Sequence, residues 1–170
     1  VMYGQHNQGV RDLVFAYMVL KGEGQVIMID VGLDPEQDDV ARRYVKRDNV
    51  VDWQPPEAVL AKIGLTPAEV DTVLLTHAHY DHMGNLMAFP NAHFYLQKRE
   101  YFDWMWAASL PKKFQNMNMA INPNDLQNAT TLLLNGRLTL VDGPVKDVLP
   151  GIDLQPAYDG HTFASQMVII

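Results

Sequence analysis

A short apolar run, Val73-Leu74-Leu75, feeds directly into Thr76-His77-Ala78-His79-Tyr80-Asp81-His82-Met83-Gly84, and this junction constrains the chain more than any other stretch. The run is short and β-prone and follows the turn-forming Thr66-Pro67, which predicts a buried strand. The polar stretch therefore begins where a strand ends and the backbone turns away. In open α/β sheets that strand end is where ligands collect. His77 and His79 are two apart, so in extended backbone their side chains face the same side. Asp81 and His82 are adjacent, and a tight turn after the strand aims both inward. A lone histidine is usually a surface group or a satisfied core residue. Three histidines and an aspartate between positions 77 and 82 are not explained that way. Protonated together they repel, and buried together they leave polar groups unpaired. A divalent ion resolves both problems, and imidazole with carboxylate suits zinc or a similar borderline metal without any thiolate.

Composition narrows the alternatives. The chain has 170 residues, 48% of them hydrophobic, enough for a single globular domain with a real core over 1–170. Its formal net charge of -7 argues against a nucleic-acid-binding surface. Cysteine is absent, which removes disulfides, thiolate nucleophiles and cysteine-type zinc sites together. No uninterrupted apolar segment approaches the roughly 20 residues of a membrane helix, and the first residues lack a signal-peptide pattern. The expectation is a cytoplasmic protein with no nucleic-acid or membrane partner.

In chain order, Leu13 to Leu20 is an apolar run, Lys21-Gly22-Glu23-Gly24 a turn, and Val26 to Ile29 a second strand, together a β-hairpin. The second strand ends in Asp30-Val31-Gly32, where Asp30 either caps a turn or serves a nearby site. Asp34 to Asn49 has room for a short helix, but Pro35 and its acids favour an exposed segment with a solvated face of Arg42, Arg43, Lys46 and Arg47. Pro55 to Gly64 reads as a helix, and Thr66 to Glu69 as a capping box. Ala92 to Leu96 is a further strand, with His93 structural. Lys98 to Ala108 is helical, and its aromatic stripe packs the core while also being placed to wall a pocket. Leu110 to Asn122 is expected as a loop or lid, Pro123 to Leu134 as a helix, and Leu138 to Gln155 as short strands split by Gly and Pro. Strands alternating with crossover helices predict a mixed α/β layer architecture. Gly160-His161-Thr162 then sits in a loop beside the terminal apolar Met167 to Ile170.

The stretch His77-Ala78-His79-Tyr80-Asp81-His82 resembles the His-x-His-x-Asp-His motif of the metallo-β-lactamase superfamily, and within it the N-acyl homoserine lactonase-type branch. The resemblance implies a four-layer αββα sandwich, here lacking its C-terminal portion. It assigns His161 of Gly160-His161-Thr162 as the next ligand, so that His77, His79 and His161 hold one metal while Asp81 and His82 hold a second. It also places Asp30 as a support behind a ligand. The family needs two further ligands, a bridging acid and a final His, which lie beyond Ile170, and the chain is expected to be part of a longer protein. Two divalent ions, with zinc favoured, would bridge a hydroxide that opens a lactone or cleaves a carboxylic ester, with Asp81 passing a proton to the leaving group. The expected partner is a small lactone or ester, with a homodimer left open as the assembly. The competing readings are a thioester hydrolase of the glyoxalase II type and an incomplete, non-catalytic metal-binding domain.

Overall fold

The computed structural model describes residue 9 and residues 12–170. The expected hairpin is present, with β1 at Met18–Gly22 paired antiparallel to β2 at Gln25–Ile29. β1 is shorter than the apolar run predicts, since residues 12–17 carry no regular structure and Leu13 and Val14 are exposed. A strand persists only where a partner satisfies its backbone groups, and β2 ends at Ile29, opposite Met18, so residues 12–17 have no partner strand. Three parallel neighbours follow: β3 (Thr72–Leu74), β4 (His93–Gln97) and β5 (Leu138–Val141), in the order β1-β2-β3-β4-β5.

Parallel pairing needs crossovers. They carry α1 (Asp39–Arg47) and α2 (Pro56–Ala61) before β3, α3 (Tyr80–Met83) before β4, and α4 (Lys98–Ala108) and α5 (Pro123–Leu134) before β5. The alternation of the strands then sorts the core into two layers. Val26, Met28, Val73 and Phe94 face the helices, where Leu60, Leu126 and Leu132 meet them. Ile27, Leu74 and Val141 face the opposite way, against Ile152 and Leu154. Those last two belong to a second, antiparallel sheet of β6 (Val145–Leu149), β7 (Ile152–Tyr158) and β8 (Ala164–Ile169). Among the described residues the layers are thus helices, a largely parallel sheet, and an antiparallel sheet. This is the mixed α/β sandwich expected from the sequence.

Two segments differ from expectation in detail. The stretch after Pro35 is exposed at Arg42, Arg43, Lys46 and Arg47 as expected, but it is helical, as α1, because Asp38 Oδ1 caps it by accepting from the backbone N–H groups of Val40 and Ala41. Its Oδ2 also accepts from the side-chain amides of Asn122 and Asn124, which anchors the cap to the start of α5. The stretch expected as a loop or lid contains a 3-10 helix at Lys112–Asn118. Its far end is tied to α1, since Tyr44 and Arg47 donate to the carbonyls of Ile121 and Met119. It also touches the motif, because the Ala120 carbonyl accepts from Tyr80 N–H.

Candidate metal centre

The site begins at the ends of β2 and β3, which are hydrogen-bonded neighbours. Immediately after β2, Asp30 takes a left-handed backbone conformation with φ of 62°, a rare state for a non-glycine residue that turns its carboxylate back toward β3. That carboxylate is buried and accepts three hydrogen bonds. Thr76 donates from its backbone N–H at 2.7 Å and from its hydroxyl at 2.8 Å, and His82 Nδ1 lies 2.7 Å away. The second chain of contacts fixes a tautomer. The Thr76 hydroxyl has one proton, which goes to Asp30, so it must accept the contact from His77 Nδ1 at 2.9 Å. His77 therefore carries its proton on Nδ1 and presents a bare lone pair at Nε2. That atom is buried and has no hydrogen-bond partner among the described residues.

His77 faces its fellow histidines there. Its ring centroid lies 4.6 Å from that of His79, 4.8 Å from His161 and 4.0 Å from His82, and His79 and His161 are also 4.8 Å apart. One ring nitrogen from each of His77, His79 and His161 falls within 4.8 Å of the others. Burial, reinforced by the neighbouring histidines, pushes the His77 imidazole down to about 2 and His79 down to about 4. Both are therefore neutral at ordinary pH, the form a metal ligand requires. His82 behaves in the opposite sense. Burial works to lower it, but the bond to Asp30 and the contact between Nε2 and Asp81 at 3.3 Å outweigh that and raise it to about 9. Asp81 itself is held below its usual range, burial being overcome by His82.

One carboxylate clamps the two histidine-bearing loops together. Glu100, in the first turn of α4, is fully buried and accepts four hydrogen bonds. Ala78 N–H, between His77 and His79, donates at 3.0 Å, and Trp104 Nε1 at 2.8 Å. The Thr162 hydroxyl and Ala164 N–H, just after His161, donate at 2.8 Å and 2.7 Å. Gln166 on β8 adds a second tie, donating to the Leu75 carbonyl while its own N–H bonds the Thr76 carbonyl and its Oε1 accepts from Gln97. Beside His161 lies an open groove of about 330 Å³ walled by Trp104 and Phe163, whose rings are 4.8 Å apart. Trp104 also meets His79 edge-on at 5.6 Å. The aromatic stripe of α4 thus does both things expected of it, with Tyr101 and Trp104 buried while Phe102 and Trp106 are exposed.

The structure brings together His77, His79 and His161, with Asp81 and His82 paired alongside and Asp30 behind. Sequence reasoning missed Glu100, Thr76 and the Gln97–Gln166 pair. A signal existed for Glu100: it sits with Trp104 and Ala107 at helical spacing, an acid on an otherwise apolar face.

Residues 9–170 match the family model of the metallo-beta-lactamase superfamily. The chain belongs to that superfamily. Over 44 residues, 26% of this chain and 17% of the other, it is 43% identical to the N-acyl homoserine lactonase AttM of Azorhizobium caulinodans. Among solved structures, a probable metal-dependent hydrolase from Staphylococcus aureus superposes with a TM-score of 0.63 at 22% identity, covering 88% of this chain and 51% of that one. The dizinc quorum-quenching lactonase AidC, solved with its product N-hexanoyl-L-homoserine, superposes with a TM-score of 0.61 at 20% identity, covering 89% and 51%. This metallo-β-lactamase chain therefore spans about half the length of the solved relatives it matches. No helix among the described residues is long and apolar enough to cross a membrane.

Proposed function

We propose that the chain carries the metal-binding part of a hydrolase that opens a lactone or cleaves a related carboxylic ester. The observation that carries this reading is the buried, unpartnered Nε2 of His77, held bare by the Asp30–Thr76 relay and facing His79 and His161. A neutral, desolvated donor set of this kind fits a divalent ion, zinc first. His77, His79 and His161 would hold one ion, and Asp81 would offer donors to a second, joined by His82 once the incoming ion displaces the proton that it holds between Asp30 and Asp81. The Asp30 contact to His82 Nδ1 is the outer support commonly found behind a metal-bound imidazole. A bound divalent ion would supply Lewis acidity, polarising a carbonyl and making water acidic enough to attack it near neutral pH.

The protein's own groups supply the rest. Glu100 keeps the His161 loop against the His77–His79 loop, so the donors are gathered before any ligand arrives. Trp104 and Phe163 give the approach to His161 an apolar wall. Asp81 is kept ionised by His82 and so can accept a proton at Oδ2 and return it to the departing alkoxide. Lactones and esters are favoured because their leaving group is an alkoxide that needs that proton. N-acyl homoserine lactones are the first substrates to try, given the names of the relatives.

Elemental analysis of the purified protein, with intact mass, comes first, followed by lactone opening followed as acid release. Bound zinc, and activity that a chelator removes and zinc restores, are the expected results. Protein without bound metal that takes up none from solution would sink the reading and leave a non-catalytic scaffold.

A further inference from the structure

The residue between two of the candidate ligands faces away from them. His79 has extended backbone, with φ of -64° and ψ of 152°, so successive side chains diverge and Tyr80 points to the other side of the loop. There its ring lies 4.5 Å from that of Tyr44 on α1 and meets Phe15 edge-on at 6.2 Å, which leaves Tyr80 buried. Packing of that kind would be served as well by phenylalanine. The hydroxyl is committed elsewhere, donating to Asp48 Oδ2 at 2.6 Å. That carboxylate, at the end of α1, also takes both arms of Arg47, Nε to Oδ1 at 2.7 Å and Nη2 to Oδ2 at 2.6 Å. The Arg47 guanidinium holds Asp48 below the usual carboxylate range and stacks over the Tyr44 ring at 4.5 Å. A bidentate pair of this sort is a firm anchor even where water reaches it.

The same residues hold one piece of main chain. Three consecutive carbonyls, those of Met119, Ala120 and Ile121, accept from the Arg47 guanidinium, the Tyr80 backbone N–H and the Tyr44 hydroxyl. Tyr80 is thus gripped twice, at its N–H by the segment before α5 and at its hydroxyl by the end of α1. It is also the first residue of α3, a single turn that carries Asp81 and His82 and is too short to set its own position. We propose that Tyr80 is a positioning residue, whose hydrogen bond to Asp48 fixes the loop and so places His79 on one side of it and Asp81 on the other. The placing of His79 stands by itself, whereas its consequence for zinc rests on the metal-centre reading above.

Two variants remove the contact from opposite sides. Tyr80→Phe deletes the hydroxyl and keeps the ring, and Asp48→Ala deletes the acceptor at the surface. Competitive zinc titration compares the parent, both single variants and the double variant. Each single variant should bind zinc about fivefold more weakly, with unchanged far-UV circular dichroism. The double variant should bind no more weakly than either, since one shared contact is lost only once. A merely structural tyrosine would lower the melting temperature and leave zinc affinity alone, so unchanged affinity in Tyr80→Phe overturns the proposal. Losses that add in the double variant also overturn it. Histidine ring signals of the metal-free proteins, read by carbon–proton NMR, give a second readout. The His79 signal should move alike in both single variants while that of His93, on β4, stays in place. A His79 signal unmoved in either variant overturns the proposal. A parent that takes up no zinc would sink the hydrolase reading alone, and a shared displacement of His79 would still uphold the positioning role.

Discussion

Thr76 acts through others. Its hydroxyl passes the orientation of Asp30 to His77, and its backbone N–H locks the same carboxylate. Thr76→Val keeps the β-branched shape but leaves His77 Nδ1–H without an acceptor and frees the ring to turn. Zinc affinity should fall by about 10–100-fold, the usual effect of losing a group that orients a ligand, while far-UV circular dichroism stays unchanged. A competitive zinc titration showing equal affinity would remove Thr76 from the relay. Glu100 makes a sharper prediction, because four donors converge on one fully buried carboxylate. Glu100→Ala strands all four and should lower stability by about 3 kcal/mol or more. Urea unfolding measures this, and a loss within about 0.5 kcal/mol, typical of a surface change, would refute the clamp. The candidate ligands of the first motif were legible because His77, His79, Asp81 and His82 are crowded locally. Thr76 and Glu100 were not, because what marks them is partners 46 and 62 residues away.

At the scale of elements, α3 is too short to be stable by itself and is held at both ends by neighbours. At its start Tyr80 N–H bonds the Ala120 carbonyl at 3.0 Å, and at its end Val31 N–H bonds the His82 carbonyl at 2.9 Å and Gly84 N–H bonds the Gly32 carbonyl at 2.8 Å. Gly84 is needed for space rather than for its backbone angle, since φ there is an ordinary -74°. A Cβ would lie 2.4 Å from the Tyr80 carbonyl oxygen and 2.8 Å from Leu33 Cα, both backbone atoms that cannot swing aside. Gly84→Ala should cost about 1–3 kcal/mol and shift the Asp81–His82 pair, read as a lower thermal midpoint with weakened metal uptake. A variant as stable as the parent would show that the turn relaxes freely. The same scale explains where sequence reading succeeded and where it slipped. β3, α4 and α5 were readable from apolar runs and from Pro and Gly punctuation. β1 was placed too early because Leu13 to Tyr17 is apolar without a strand partner. α1 was undervalued because its cap, Asp38, gains its strength from Asn122 and Asn124, far along the chain.

For the whole molecule, the two sheets meet through Ile27, Leu74, Ile152 and Leu154, and the histidines gather where β3 ends and β8 begins. Stability is therefore shared between an apolar interior and a few buried acids, and pH separates the two. Asp125 is the clearest probe. Its carboxyl has an ordinary value of 3.8 and stands at about 8 in the fold, raised by burial and by Asp38. A folded value above the unfolded one means that the unfolded chain gives up its proton first. The stabilisation that goes with the neutral form is complete below 3.8 and is lost as pH rises through about 8. Other groups titrate in the same range, including His82, whose raised value acts in the same direction. The test is consequently a difference between two proteins in the same buffer. Asp125→Asn has the same shape and no charge, so it should match the parent near pH 4 and become progressively more stable than it toward pH 8. The gap should widen by at most about 1.4 kcal/mol per pH unit and level off above that. Urea unfolding of both proteins across this range measures it. Parallel stability curves would mean that the carboxyl is already ionised in the fold, with a counter-charge satisfying the oxygen at Oδ2.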